Sequence, residues 1–347
     1  MKKYLISIFV IVLSVFLFGC AGKPAGGVNE KTGEESTGPV VSDYFPIMQN
    51  VRLTYEGTGN EYASYIVTVD YTAEGKVQQR IDNGGTVTAR VLSLEGGKLV
   101  RKLSRGEAYY RENLLDKTDA SEEVLLMEPI ETGTSWTLSD GSVRKINDVS
   151  ADVTTPSGNY KAVEVTTEGQ NGSTADYYVK DIGFIKSVFT SEGSQVTSSL
   201  GKIEENISTV QKVRFFYPNI NDNKLYYRDQ DVSFKTNEDT KDILASVYRQ
   251  VVNNAQVISE NTKINSLYLG DDNIVNIDFN DAFQTEMNAG SGYESMILTC
   301  IANTFGWYYN SDKVILTVQN KPYESGHIAF KEGEFIKTDF DNAVEIK

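Results

Sequence analysis

The chain has one histidine, His327, among 347 residues. A histidine-based metal centre therefore cannot be assembled, and a Ser-His-acid triad would depend on that single side chain. Ser142 to Lys145 and Ser199 to Lys202 both have the Ser-x-x-Lys spacing of an acyl-transferring serine, and Lys31-Thr32-Gly33 supplies a Lys-Thr-Gly. Penicillin-recognising enzymes need these on a helix and on a strand beside it, in the opposite chain order. Ser142 falls in a β-rich stretch, so no catalytic serine is expected. Carboxylates pair at Asp229/Asp231, Asp271/Asp272 and Asp339/Asp341. None is followed by the glycine and distant glutamate of a calcium loop, which leaves them as solvated turns and predicts no metal site. Asp278 and Asp281 differ because they stand at the exit of an apolar strand. Capping of a short helix by Asp281 or Asn280 is the preferred role, with ligand contact as the alternative. Asp278, Asp281 and His327 are the candidate ligand-binding residues. The chain reads as non-enzymatic and without a cofactor.

Thiol chemistry is offered by Cys20 and Cys300. Cys300 lies on the apolar face of a predicted helix and reads as a buried structural thiol. Cys20 has a different setting. Lys2 and Lys3 precede an apolar run from Tyr4 to Phe18, and Leu17-Phe18-Gly19 leads directly into the cysteine. The run is short for a permanent bilayer span, and the segment resembles a bacterial lipoprotein signal. That resemblance implies cleavage after residue 19, lipidation of Cys20 (a diacylglyceryl group and an acyl chain such as palmitate), and a protein held at the outer face of a membrane. Two or more chains anchor stably where one does not. Residues 20–43, rich in glycine and almost without large apolar side chains, read as a lipidated tether. As a coil of about 23 residues it reaches roughly 25 Å. The chain has 33 basic and 48 acidic residues, net −15, and −17 once Lys2 and Lys3 leave with the signal. Such acidity excludes nucleic acid as a partner and any electrostatic grip on anionic lipid.

Residues 44–205 read as strands and turns. Tyr65-Ile66-Val67-Thr68-Val69, Val87 to Leu92 and Ala162 to Thr166 are β-branched or aromatic runs, punctuated by Glu74-Gly75, Asn83-Gly84-Gly85, Glu95-Gly96-Gly97, Asp140-Gly141 and Ser157-Gly158. The pattern predicts an all-β antiparallel domain, a curved sheet or partial barrel, with one short helix over 117–127. Residues 206–347 change character. Ile243, Leu244, Val247, Tyr248, Val251 and Val252 have helical spacing behind an Asp239-Thr240 cap, and Tyr293 to Trp307 forms a second apolar-faced helix. Strands at 213–217, 225–227, 263–269, 274–279, 314–318 and 327–330 complete a mixed fold, an α+β domain with two helices packed on a sheet.

This second domain resembles the GerMN domain of sporulation and germination lipoproteins. The residues that carry the likeness are Val213-Arg214-Phe215-Phe216-Tyr217-Pro218, Val275-Asn276-Ile277-Asp278-Phe279-Asn280-Asp281-Ala282-Phe283, Ile301-Ala302-Asn303-Thr304-Phe305, Val314 to Val318 and Gly326-His327-Ile328. The resemblance implies a non-catalytic, extracytoplasmic module of the cell envelope, with peptidoglycan or other envelope proteins as partners. The alternative is a carrier or sensor that holds an apolar ligand in the β domain. Oligomeric state is left open by the sequence.

Overall fold

The computed structural model describes residues 38–346, apart from positions 121, 220, 253 and 288. The signal, Cys20 and most of the tether lie outside the described residues. Residues 38–347 form one compact unit. Val41–Tyr44, at the junction of the expected tether and β domain, is a 3-10 helix with Val41 buried.

Twelve strands follow: β1 (Arg52–Thr58), β2 (Tyr65–Ala73), β3 (Lys76–Asp82), β4 (Val87–Glu95), β5 (Lys98–Arg105), β6 (Glu123–Met127), β7 (Ser135–Thr137), β8 (Val143–Thr155), β9 (Gly158–Gly169), β10 (Gly172–Val179), β11 (Gly183–Ser191) and β12 (Ser194–Glu204). They build one antiparallel sheet in the order β6-β5-β4-β3-β2-β1-β12-β11-β10-β9-β8-β7. The glycine punctuation makes the hairpins. Ala73 pairs with Lys76, leaving Glu74-Gly75 as a two-residue turn in which Gly75 takes φ +67°, a conformation that costs glycine little. Residues 117–127 do not form a helix. Glu123–Met127 is a strand paired to β5, because Leu126 faces Leu99 across the ladder and both are fully buried. Side-chain burial against a neighbouring strand here overrides local helix preference.

The sheet curls until its edges meet, without a backbone ladder between them. The indole Nε1 of Trp136 in β7 donates to the Val124 carbonyl in β6 at 3.0 Å, and Arg144 Nη1 donates to the same oxygen at 2.8 Å. Arg144 also pairs with Glu123 at 2.7 Å. The expected partial barrel is therefore a rolled sheet with a side-chain seam. At one end its interior is apolar and plugged. Val41, Phe45 and Val51 pack with Val69, Leu99, Ile146, Val163 and Tyr178, and the remaining cavity is about 20 Å³. That is space for roughly one water, not for an apolar ligand.

The second domain begins with the hairpin β13 (Thr209–Asn219) and β14 (Lys224–Phe234), then α1 (Thr240–Tyr248), β15 (Ile264–Leu269), β16 (Val275–Phe279), the single turn α2 (Ala282–Thr285), α3 (Ser291–Tyr309), β17 (Lys313–Val318), β18 (Lys321–Pro322), β19 (Ile336–Lys337) and β20 (Ala343–Glu345). Its strands divide between a three-stranded sheet, β13-β14-β20, and a second sheet, β15-β16-β17-β18 with β19 beside β17. The long helix α3 lies against strands of both. Thr304 Oγ1 accepts the Phe216 N–H at 3.0 Å, so α3 covers the β13 edge that would otherwise be left unpaired. Asp239 caps α1 through the Lys241 N–H. The helix stops at Tyr248, short of the predicted apolar stripe, and Val252 instead bridges Ala255.

Candidate functional site

The three candidate residues are not brought together. Asp278 in β16 is buried, and its carboxylate accepts three hydrogen bonds: Thr317 Oγ1 at 2.6 Å, the Asn320 N–H at 2.7 Å and Asn265 Nδ2 at 2.7 Å. It ties β15, β16 and the turn after β17. Asp281 is exposed at the start of α2, where its carbonyl accepts Gln284 and Thr285 N–H, while its side chain makes no cap bond. Asn280 holds the neighbouring loop instead, with Oδ1 accepting the Lys263 N–H and Nδ2 donating to the Asn261 carbonyl. His327 is exposed on a turn, where its N–H donates to Ser325 Oγ at 3.0 Å. Gln284 Nε2 donates to the Glu324 carbonyl, which sets that turn beside α2. Cys300 is free and buried, and desolvation pushes its thiol well above the usual range.

Next to these residues, α2 and the start of α3 form a cleft with the loop that precedes β15. Its volume is about 240 Å³. Val257, Ile258, Phe283 and Ile297 make an apolar floor, and Gln256, Ser259 and Glu286 stand among the lining residues. Hydrogen bonds from Ser259 and Asn261 hold the Glu286 carboxyl below its ordinary range, so it is ionised at neutral pH. The cleft has an anionic, hydrogen-bonding rim over an apolar base. It suits a small group that offers donors and an apolar face. No group of three or more His, Cys, Asp or Glu side chains arranged to hold a metal exists among the described residues.

A second feature of this domain was not singled out in the sequence. Arg214 of β13 pairs with Asp229 directly across the hairpin, at 2.7 and 2.9 Å. Its guanidinium lies 3.9 Å from the Tyr227 ring centre and 4.2 Å from that of Trp307. Trp307, on α3, is 44% exposed. An arginine stacked between two aromatic rings, one of them open to solvent, is a composition common at binding surfaces.

The junction between the domains was also missed. Arg111 leaves the loop after β5 and is buried between the two folded parts. Its Nη2 donates to the Asp70 and Lys235 carbonyls at 2.7 and 2.9 Å, and its Nη1 to Tyr71 OH, Thr240 Oγ1 and the Glu238 carbonyl. Its guanidinium lies over Tyr71 at 4.2 Å. Asp70 occupies a bulge in β2, between Val69 and Tyr71, and pairs with Arg80 at 2.9 Å. The bulge turns both Asp70 and Tyr71 toward the junction. The only local clue was an aspartate inside the apolar run Val67-Thr68-Val69-Asp70-Tyr71.

Comparison with known proteins places this geometry. Residues 214–324 match the family described as "Germane: Sporulation and spore germination". No curated protein matches the sequence. Among solved structures, the chain is similar to a candidate exported protein with a YmcC-like fold from Bacteroides fragilis, at 13% identity and TM-score 0.31, covering 47% of this chain and 99% of that one. It is similar to the tandem GerMN domains of the sporulation protein GerM from Bacillus subtilis, at 16% identity and TM-score 0.29, covering 38% and 46%. A candidate lipoprotein from Parabacteroides distasonis matches at 12% identity and TM-score 0.28, covering 46% and 98%. The buried Asp278, the cleft beside α2 and the Arg214 stack all fall within residues 214–324, the part of this chain that matches the sporulation and spore germination family.

Proposed function

We propose that the protein is a lipid-anchored, extracytoplasmic envelope protein that acts by binding, in sporulation or germination, and not by catalysis. The observation that carries this reading is the Germane match over residues 214–324. The lipoprotein-like start ending at Cys20 supports the anchored location. No helix among the described residues is long and apolar enough to cross a membrane. The settings of two candidate residues suit a binding role: Asp278 is engaged in structural bonds, and His327 is exposed on its turn with no side-chain hydrogen bond among the described residues.

The binding surface in this reading is the cleft beside α2, with Glu286 at its rim, and the partner is peptidoglycan or an envelope protein. Because Arg111 locks the two domains together, the test uses residues 38–347 as one piece. Co-sedimentation with purified peptidoglycan and capture from envelope extract should retain the wild type, and Glu286→Arg should lose most of that retention. Retention by neither material ends the proposal.

A further inference from the structure

The inner face of the rolled sheet continues past its plug, and there its chemistry changes. Ile146, Val165 and Tyr178 point into the plugged core. Further along the same faces of β8, β9 and β10 stand Arg144, Thr167 and Thr174, and the register carries this row on to Phe189 in β11. Arg144 is committed to the seam, and its Nε donates to Thr167 Oγ1 at 2.8 Å. Thr167, Thr174 and Phe189 line a cleft of about 710 Å³, a size within the roughly 300–1,000 Å³ of small-ligand sites. Its walls are the 140–142 turn before β8 and the tip of the β9–β10 hairpin. At that tip Gly169 pairs with Gly172, which leaves Gln170-Asn171 as a two-residue turn.

Phe189 is 37% exposed, yet its ring is supported. Gly172 shares the inner face with Thr174, and a Cβ there would collide with the Thr190 carbonyl and stand 3.2 Å from Cε2 of Phe189. One edge of the ring therefore leans on bare backbone while the ring reaches the cleft. Polar groups stand around it: the Thr174 hydroxyl, the Gln170 and Asn171 amides, and the Asp140 and Glu168 carboxylates. Hydrogen bonds from the Ser142 hydroxyl and N–H hold the Asp140 carboxyl below its ordinary range, so it is ionised at neutral pH. No lysine, arginine or histidine is among the lining residues.

This composition selects a ligand class. An apolar molecule would meet one ring among polar walls. A phosphate or a uronate would meet two carboxylates and no cation. A basic peptide would pair with the carboxylates but leave the ring and the amides unused. A neutral saccharide uses all of them. Carboxylates and amide oxygens accept its hydroxyls, amide N–H and threonine O–H groups donate to its oxygens, and the C–H face of a pyranose packs on an aromatic ring. We propose that this mouth of the rolled sheet binds a neutral oligosaccharide, with one sugar ring stacked on Phe189. The site is separate from the cleft beside α2 and does not rest on the role given to that cleft.

The test is isothermal titration calorimetry on the chain from Ala21 to Lys347 at about 0.15 M salt, which screens loose charge attraction. The probes are chitotetraose, cellotetraose, maltotetraose and mannotetraose, with tetragalacturonate and tetralysine as charged comparisons. At least one neutral tetrasaccharide should bind with a Kd of about 1 mM or tighter, and tetragalacturonate should not. Phe189→Ala should weaken that binding about tenfold or more, and Phe189→Leu, which keeps apolar bulk but removes the ring, should do the same. If Phe189→Ala fails to fold, Phe189→Leu decides. Glu286→Arg, in the other cleft, should leave saccharide binding unchanged. Failure of all four neutral probes, binding of tetralysine alone, or wild-type affinity in Phe189→Leu overturns the inference.

Discussion

The backbone N–H of Arg111 donates to the phenol oxygen of Tyr308 at 3.0 Å, although the two residues stand 197 positions apart. One belongs to a loop of the β domain and the other to the last turns of α3. With the guanidinium of Arg111 bonded to carbonyls from both domains, that contact makes the junction a buried polar network and not a loose apposition. Such networks are costly where a member is left unpaired, and the Nε of Arg111, buried without a hydrogen bond, has the Asp70 carboxylate 3.6 Å away.

Arg111→Met should therefore be costly. It leaves the Asp70, Lys235 and Glu238 carbonyls without their donor in a buried site, a loss of about 3 kcal/mol. Urea unfolding should show a lower midpoint and a split into two transitions as the domains uncouple. A single transition at the wild-type midpoint would show that the junction contributes nothing.

Asp278 and His327 should behave oppositely. Asp278→Ala strands three donors from different segments and should destabilise the second domain by about 2–4 kcal/mol. His327→Ala on an exposed turn should change stability by no more than about 0.5 kcal/mol. Chemical denaturation followed by Trp307 fluorescence separates the two.

Two carboxylates should titrate in opposite senses. Desolvation raises the Asp176 pKa, only partly offset by a hydrogen bond from Ser187 and by Arg144. The folded state then holds this proton more tightly than the unfolded chain, so the group's contribution is full below its ordinary value near 3.8 and is lost as pH rises through the folded pKa. The hydrogen bond from Arg214 lowers the Asp229 pKa. Its contribution is present above the ordinary value and is lost as pH falls through the folded pKa. Asp176→Asn should thus gain on the wild type as pH rises from 4 to 7, in a series of urea titrations. Asp229→Asn should be less stable than the wild type at pH 7, with the gap closing in acid.

Cys20→Ala should move the protein from the membrane fraction to the soluble extracytoplasmic fraction with both domains folded. Fractionation with circular dichroism on the released protein checks both halves of that expectation. A variant that stays with the membrane would show that residues 1–20 were misread.

Much of the architecture was legible because it is local. Glycine turns and alternation mark the hairpins, and the Ile243 to Tyr248 and Tyr293 to Phe305 stripes mark the two principal helices. The strand at 123–127 was not legible, since its residues tolerate helix and only Leu99 opposite Leu126 decides the matter. The junction was hidden for a related reason. Asp70, Arg80 and Arg111 are unremarkable alone and come together only in the folded chain. Pairs distant in sequence carry no local period, so their chemistry appears only in three dimensions. Within the matched domain, Asp278 was legible as a special position, while its structural role needed Thr317, Asn320 and Asn265 to be seen around it.

The plug at the closed end has a mechanical side. Residues 41–48 are the first packed segment after the stretch that would run to the membrane. They are held by the Val41 N–H on Glu128 Oε1 at 2.8 Å, by the Asp181 N–H on the Asp43 carbonyl at 2.7 Å, and by Lys180 on Asp43 at 3.3 Å. Tension applied upstream loads these few bonds before it reaches any strand ladder. In the anchored protein proposed above, that load falls on the segment plugging the closed end of the rolled sheet and not on its paired strands.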